Sequence, residues 1–492
     1  MSIISNLTLN KDQAKALKIL NSASNVYLTG DPGTGKTFLL NAFIKELERK
    51  KLNVMLTAST GIAALNIGGT TCHKALKIPI PAYGNPIQRT SICALQNVDI
   101  FIIEEISMLR NDAFDYICRC IKEANKKYSQ KTRLIVVGDF FQLSPVVLKA
   151  DYNKFRTFGY DLSGYCFTTK AWQDMHFKIV ELKEPVRQSD KDFIENLRLL
   201  KTGDKNCIEF FNQFSQHTNI PSVSEVIHLC STNAKANNIC REELNKLPGN
   251  PTTYIAEYTG MYPKDAPVEE MLLLKSGCKV MITVNDTSYD ENDGPEYVNG
   301  SVGKIIKLHS NYATVKLDNG NTVDIYKHTW KTYEYRIQNG KLAKREIGHF
   351  SQLPLKLAYA ITIHKSQGKT FDKAVIDPSS FANGQLYVAL SRISSPEGIY
   401  LTGPILEEYV KADLKVKNFY DNFTYEVSEA QIRKQKETQK AMEKKPAKKT
   451  KSSVKRKSTS VSNKRNINKT PTAKKNNNKK TTERTNKSNA KK

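Results

Sequence analysis

Val26-Tyr27-Leu28-Thr29-Gly30-Asp31-Pro32-Gly33-Thr34-Gly35-Lys36-Thr37-Phe38-Leu39-Leu40-Asn41-Ala42-Phe43-Ile44 runs from apolar residues, through glycines, into a stretch of helical periodicity. Its centre, Gly30 to Thr37, fits the phosphate-loop pattern G-x-x-x-x-G-K-[ST] completely. Glycines there let backbone N–H groups turn inward and cradle phosphate oxygens at a helix N-terminus. Lys36 is placed to reach β- and γ-phosphates, and the Thr37 hydroxyl to sit on Mg²⁺. A strand, a glycine turn and a helix in this order form a unit of a parallel α/β sheet. Gly368-Lys369-Thr370 imitates the end of such a loop, but Ile363 stands where the first glycine is needed, which excludes it.

The same alternation of short apolar runs and amphipathic stretches extends in both directions. Strands are expected at Asn53–Thr57, Asp99–Ile103 and Arg133–Val137. A second series is expected at Val226–Cys230, Lys279–Val284, Leu357–Ile363, Ala374–Ile376 and Gly398–Leu401. Two such series imply an α/β chain of two tandem parallel-sheet domains. Residues 298–350 have a different rhythm. Thr314-Val315-Lys316-Leu317 and Thr322-Val323-Asp324-Ile325 alternate with period two around Asp318-Asn319-Gly320-Asn321, the pattern of a β-hairpin. A small antiparallel β-barrel inserted in the second domain is expected there.

The chain has 492 residues and a formal net charge of +26, very unevenly spread. Residues 433–492 hold 23 of the 75 lysines and arginines and three acids, a net of +20, which leaves +6 for residues 1–432. A histone-like polycation is therefore excluded for the body. Residues 426–492 are Lys-, Asn-, Ser- and Thr-rich with almost no large apolar side chain after Met442, so a disordered tail is expected. The longest stretch without Asp, Glu, Lys or Arg, 52–73, is broken by Asn, Ser, Thr and Gly, and the start lacks a basic, then apolar leader, which argues against a membrane span and against secretion. Nine scattered cysteines without a Cys-x-x-Cys pair read as reduced thiols.

Ile100-Phe101-Ile102-Ile103-Glu104-Glu105 is an apolar strand ending in two carboxylates. At the C-terminal edge of a parallel sheet they would face the crevice of the phosphate loop. Glu104 can then hold Mg²⁺ and Glu105 can polarise an attacking water. Gln142, in Gly138-Asp139-Phe140-Phe141-Gln142-Leu143 after another strand, could sense a γ-phosphate through its amide.

Further segments resemble the ordered motifs of superfamily 1B DNA helicases, the Pif (petite integration frequency) and RecD-like group. Leu9-Asn10-Lys11-Asp12-Gln13 resembles the adenine-reading glutamine motif. Thr57-Ala58-Ser59-Thr60-Gly61-Ile62-Ala63-Ala64 with Gly68-Gly69-Thr70-Thr71-Cys72-His73 resembles motif Ia, Glu104–Met108 motif II and Gly138–Pro145 motif III. Glu184-Pro185-Val186-Arg187-Gln188 resembles motif IV, and Thr362-Ile363-His364-Lys365-Ser366-Gln367-Gly368 lies in a stretch like motif V. Gln385-Leu386-Tyr387-Val388-Ala389-Leu390-Ser391-Arg392 resembles motif VI, and Tyr297–Gly303 the entry to that group's β-barrel insert. The family carries Asp-Glu at motif II where this chain has Glu104-Glu105, which marks a diverged member.

The resemblance implies two RecA-like domains with ATP and Mg²⁺ in the cleft between them. The first spans 1–186 with a short insertion near 72–97; the second spans 187–297 and 351–425, interrupted by the barrel at 298–350. It implies nucleotide contacts from Gln13, Gly30, Asp31, Pro32, Gly33, Thr34, Gly35, Lys36, Thr37, Gln367 and Gly368, and a Mg²⁺ site at Thr37 and Glu104. Lys36, Glu105, Gln142, Arg187 and Arg392 are the implied catalytic set, the two arginines acting as fingers in cis. Thr57, Ser59, His73, His364, Lys365 and Ser366 are the implied grips on single-stranded DNA, holding phosphates without reading bases. An ATP-driven helicase moving 5′ to 3′ is expected, acting as a monomer on single-stranded and forked or partly duplex DNA, with contacts to replication proteins. Lys444-Lys445-Pro446-Ala447-Lys448-Lys449 and Lys455-Arg456-Lys457 resemble a nuclear-import signal, and the same run would bind nucleic acid through phosphate neutralisation. Location in the nucleus or at a cytoplasmic replication site is expected. Two alternatives stand beside this reading: a recruitment factor with an impaired ATPase, favoured only by Glu104, and a ring-forming replication-initiation motor, disfavoured by motifs IV to VI in one chain.

Overall fold

Runs such as Ile100–Glu104 are apolar on both faces, as a strand covered by helices on each side must be. A computed structural model describes residues 9–215, 220–260, 266–286, 295–338, 341–379 and 382–422; the Lys-rich tail and its import-like runs lie outside them. Six strands form the first sheet: β1 (Val26–Gly30), β2 (Val54–Ala58), β3 (Thr70–Thr71), β4 (Ile100–Glu104), β5 (Arg133–Val137) and β6 (Lys178–Leu182). Their order is β3-β2-β4-β5-β1-β6, and every pairing is parallel. One face packs on α1 (Lys11–Leu20) and α2 (Lys36–Arg49) through Ala16, Leu20, Leu40 and Phe43. The other packs on the helix Asn111–Tyr128 through Phe114, Ile117 and Ile121. Parallel strands share one C-terminal edge, so the loops after β1, β4 and β5 meet there.

The second sheet has four parallel strands in the order Ala360–Thr362, Ile227–Cys230, Ala374–Ile376, Ile399–Leu401. Two expectations are corrected here. The strand at Lys279–Ile282 pairs antiparallel with Val302–Leu308 and Leu355–Leu357, so it belongs to another sheet. The run Leu357–Ile363 is divided: Leu355–Leu357 joins the Lys279 strand, Ala360–Thr362 joins the Ile227 strand, and a helix begins at Ile363. The chain changes sheets at Ala358-Tyr359, where Ala358 N–H donates to Lys279 O (2.9 Å) and Lys279 N–H donates to the Tyr359 hydroxyl (3.2 Å).

The hairpin around Asp318–Asn321 is present, pairing Tyr312–Leu317 with Thr322–Tyr326 in the register Val315↔Val323. The segment 298–350, expected to form a small barrel, contributes its strands to two antiparallel sheets. One has five strands and includes Lys279–Ile282 and Leu355–Leu357; the other sets His328–Gln338 and Lys341–Gln352 beside Glu257–Gly260. Both recruit strands from outside the segment, because each apolar face, for example Val315, Val323 and Ile325, is covered by residues such as Leu274, Val280 and Leu355. Among the described residues, no helix is long and apolar enough to cross a membrane.

Candidate active site

The phosphate loop leaves β1 at Gly30 and enters α2 at Lys36. Gly33 sits at φ +81°, and its carbonyl accepts the N–H groups of Val186 (2.8 Å) and Arg187 (3.2 Å), so loop and motif IV segment are in backbone contact. A Cβ at Gly33 would lie 2.6 Å from the Arg187 Cβ. Both the dihedral and the space exclude a side chain there. Gly33→Ala is therefore expected to raise the KM for ATP by about tenfold or more, read in steady-state hydrolysis. The Lys36 ammonium donates to Gly30 O (2.7 Å) and Asp31 O (3.1 Å). Burial pulls its pKa down, offset in part by Asp139, Glu105 and Asp31. Pro32 and Thr34 are buried, and the Thr34 hydroxyl donates to Asp31 O (2.8 Å). From α1, capped reciprocally by Asn10 and Gln13, the Gln13 amide donates to Thr34 O (3.2 Å) and lies against Gly35.

Glu104 closes β4 with 5% exposure, and its carboxyl is pushed up to about 8, by burial first and by Glu105 second. Thr37 Oγ1 donates to Glu104 Oε1 (2.8 Å), while Glu104 Oε2 is buried without a hydrogen-bond partner. A hydroxyl beside a carboxylate with one orphaned oxygen is a donor set that suits a hard divalent cation. Glu105 adopts φ +54°, a left-handed conformation rare outside glycine, stored at the point where the strand turns into the cleft. Burial also raises its carboxyl. Its Oε2 accepts from Gln367 Nε2 (3.1 Å), which also donates to Gln142 Oε1 (3.2 Å). One amide of the second lobe thus ties two candidate residues of the first. Gly368 follows in a positive-φ turn (φ +78°).

Arg187 Nη1 donates to Ser391 O (3.0 Å), and Gln188 Nε2 donates to Ser391 O (3.1 Å) and Ile393 O (3.0 Å). Arg392 is 2% exposed, with Nε on Val388 O (3.0 Å) and Nη2 on Ser391 Oγ (2.9 Å). Burial lowers Arg392 to about 10; burial, then the neighbouring Arg392 charge, lowers Arg187 to about 9. Two crowded, desolvated guanidiniums form an anion-accepting pair.

Three contributors were not read from the sequence. Asp139 is 1% exposed and accepts from Phe141 N (3.0 Å) and Gln142 Nε2 (3.3 Å). It lies two residues beyond the end of β5, as Glu104 lies at the end of β4, a signal that strand position could have supplied. Lys201 and Tyr420 reach the cleft from distant segments and have no local signature.

The implied DNA grips do not form one set. Thr57 is fully buried, its hydroxyl donating to Ile102 O (2.6 Å), and Ser366 is fully buried, its hydroxyl donating to Ile363 O (2.7 Å). Neither can reach a strand of nucleic acid, and both expectations are corrected. Ser59 Oγ donates to Glu105 O (2.7 Å), which links motif Ia to motif II. His73 is half-buried and burial lowers its pKa. His364 and Lys365 are exposed on the short helix Ile363–Ser366.

Two parallel sheets, with a phosphate loop and paired carboxylates on one and an arginine pair on the other, define a two-lobed nucleotide-dependent motor of the RecA-like kind. Residues 8–211 match the model of a family described as PIF1-like helicase. The ATP-dependent DNA helicase Pif1 of Campylobacter jejuni is 31% identical over 455 residues, covering 84% of this chain and 97% of the relative. A Bacteroides Pif1 structure in complex with ADP-AlF4 superposes with a TM-score of 0.76 at 32% identity, over 85% of this chain and 98% of the other. Bacteroides Pif1 bound to ssDNA superposes with a TM-score of 0.59 at 31% identity, over 85% and 98%. The chain belongs to the Pif1 helicase family.

Proposed function

We infer that the chain is an ATP-dependent DNA helicase that translocates on single-stranded DNA and separates duplex strands. The observation that carries this is the meeting, in one cleft, of Lys36, Glu105 and Gln142 from the first lobe with Gln367, Arg187 and Arg392 from the second. ATP binds with its phosphates on the loop Gly30–Thr37 and its adenine near Gln13. Thr37 and Glu104 would hold Mg²⁺, which would supply charge neutralisation to the transferring phosphate. Glu104 reaches Thr37 despite its extra methylene, which supports a working site over an impaired one. Glu105 holds the attacking water and takes its proton. Arg187 and Arg392 offer N–H groups to charge that develops on the phosphoryl oxygens. Hydrolysis breaks contacts that span both lobes, so each turnover changes their spacing; with DNA held by both, that change becomes a step. Motion 5′ to 3′, action as a monomer, and service in replication, recombination or repair follow from the family resemblance.

The test measures ATP hydrolysis by the full chain with and without single-stranded DNA, and unwinding of a forked duplex bearing a 5′ tail. Stimulation of about tenfold or more and ATP-dependent strand separation are expected. A hydrolysis rate indifferent to DNA, in folded protein, would overturn the reading.

A further inference from the structure

The phosphate loop is tied to the second lobe at two points. One is the backbone contact of Gly33 O with Val186 and Arg187. The other is the Asp31 side chain, whose Oδ1 lies 2.5 Å from Lys201 Nζ and whose Oδ2 lies 3.6 Å from Arg198 Nε. Both cations stand on the helix Lys191–Thr202, which packs against the motif VI helix Gln385–Leu390. Arg198 is exposed, and such a pair contributes little. Lys201 differs: its side chain is 11% exposed, and its ammonium lies 4.9 Å from the Phe141 ring and 5.8 Å from the Tyr420 ring. Tyr420 stacks on Phe141 (4.9 Å, 14°) and hydrogen-bonds Thr29 Oγ1 (2.9 Å) and the Tyr27 hydroxyl (2.7 Å) on β1. One ammonium therefore meets the phosphate loop, motif III and the segment 414–422 that ends the described chain.

Packing between the loop and motif VI leaves a small gap at this place. A cavity of about 20 Å³, room for one water, has Asp31, Pro32, Ile194, Leu197, Tyr387 and Ser391 among its lining residues. Tyr387 is 3% exposed and its hydroxyl has no partner. Beside this gap the Asp31–Lys201 ion pair is a direct side-chain link from the loop to the helix Lys191–Thr202.

We propose that Asp31 and Lys201 are a positioning pair for phosphoryl transfer, fixing the distance between the phosphate loop and the arginines of the second lobe. The proposal rests on the helicase reading and deepens it. The Lys201 ammonium is engaged by Asp31, so its removal is expected to leave binding largely in place and to misplace the reacting groups. A displacement of about 1 Å at such a site lowers turnover by up to about a hundredfold.

The experiment compares full-length wild type, Lys201→Met, Lys201→Arg, Asp31→Asn and the Lys201→Met/Asp31→Asn double variant, in steady-state hydrolysis at saturating single-stranded DNA and in thermal melts. Lys201→Met is expected to lower kcat about tenfold or more with the KM for ATP changed less than about threefold, and Lys201→Arg to recover most of the loss. The double variant is expected to be no slower than the slower single one, because both remove one interaction. A Lys201→Met kcat within about twofold of wild type, or losses that multiply in the double variant, overturns the pair. If Lys201→Met does not fold, the kcat limit alone is read on Asp31→Asn instead. Wild type that ignores DNA would instead sink the helicase reading and leave the pair to be judged on unstimulated turnover.

Discussion

Lys36→Ala is expected to reduce DNA-stimulated ATP hydrolysis by at least about a thousandfold and to abolish unwinding, while the protein stays folded. The reason lies in what Lys36 touches. Its ammonium has two neutral partners, the carbonyls of Gly30 and Asp31, and both belong to its own loop. It bridges no elements of the fold. Burial depresses its pKa, so the folded protein holds that charge at a cost that alanine removes. Releasing two loop carbonyls at a half-exposed site changes stability by about 1–2 kcal/mol at most. What disappears is the cation aimed at the β- and γ-phosphates, which no neighbour replaces: Lys201 is engaged by Asp31. Turnover at saturating DNA and a melting curve decide it. Residual hydrolysis above about one per cent of wild type, or a variant that unfolds, would sink the assignment.

Much of this site was legible because its parts are local. Glycines, lysine and threonine at fixed spacing describe the loop without tertiary information, and four-residue apolar runs such as Leu134–Val137, bounded by turn signals, read as strands buried on both faces. Carboxylates at the end of such a run are then placed by parallel topology. The misses have physical causes. Lys279–Ile282 is buried on both faces, as parallel strands are, so its antiparallel pairing left no trace in composition. Thr57 and Ser366 looked like phosphate grips because hydroxyls serve that role, but a hydroxyl at a strand end or in a helical turn also satisfies a nearby carbonyl, and here it does. Lys201 and Tyr420 are among the least legible: one is a lysine in an amphipathic helix, the other a tyrosine about 390 residues from the β1 groups it touches. The neighbours of the 298–350 strands were illegible for a related reason, since alternation announces a hairpin but not which strands lie beside it.

Arg392 is expected to be as sensitive as Lys36, and for a reason that separates it from a buried structural arginine. Its guanidinium uses two of five N–H donors, Nε on Val388 O and Nη2 on Ser391 Oγ, both within its own segment. It forms no ion pair among the described residues, though the nearby Glu105 and Asp139 charges raise its pKa against the larger effect of burial. A desolvated cation beside a second one, Arg187, is an unfavourable resting arrangement that an incoming phosphoryl group relieves. Arg392→Met removes that charge and keeps the apolar stem, so stability is expected to stay equal or rise. Hydrolysis should fall by at least about a thousandfold, with the KM for ATP little changed, because the fork acts on charge that develops during transfer. Arg392→Lys should behave like Arg392→Met in turnover, since an ammonium cannot use Val388 O and Ser391 Oγ to aim the remaining donors. The deciding comparison is kcat against melting temperature for the two variants. A Lys variant with more than about a tenth of wild-type turnover would show that charge alone suffices. A Met variant that loses stability in step with activity would return Arg392 to the framework of the fold.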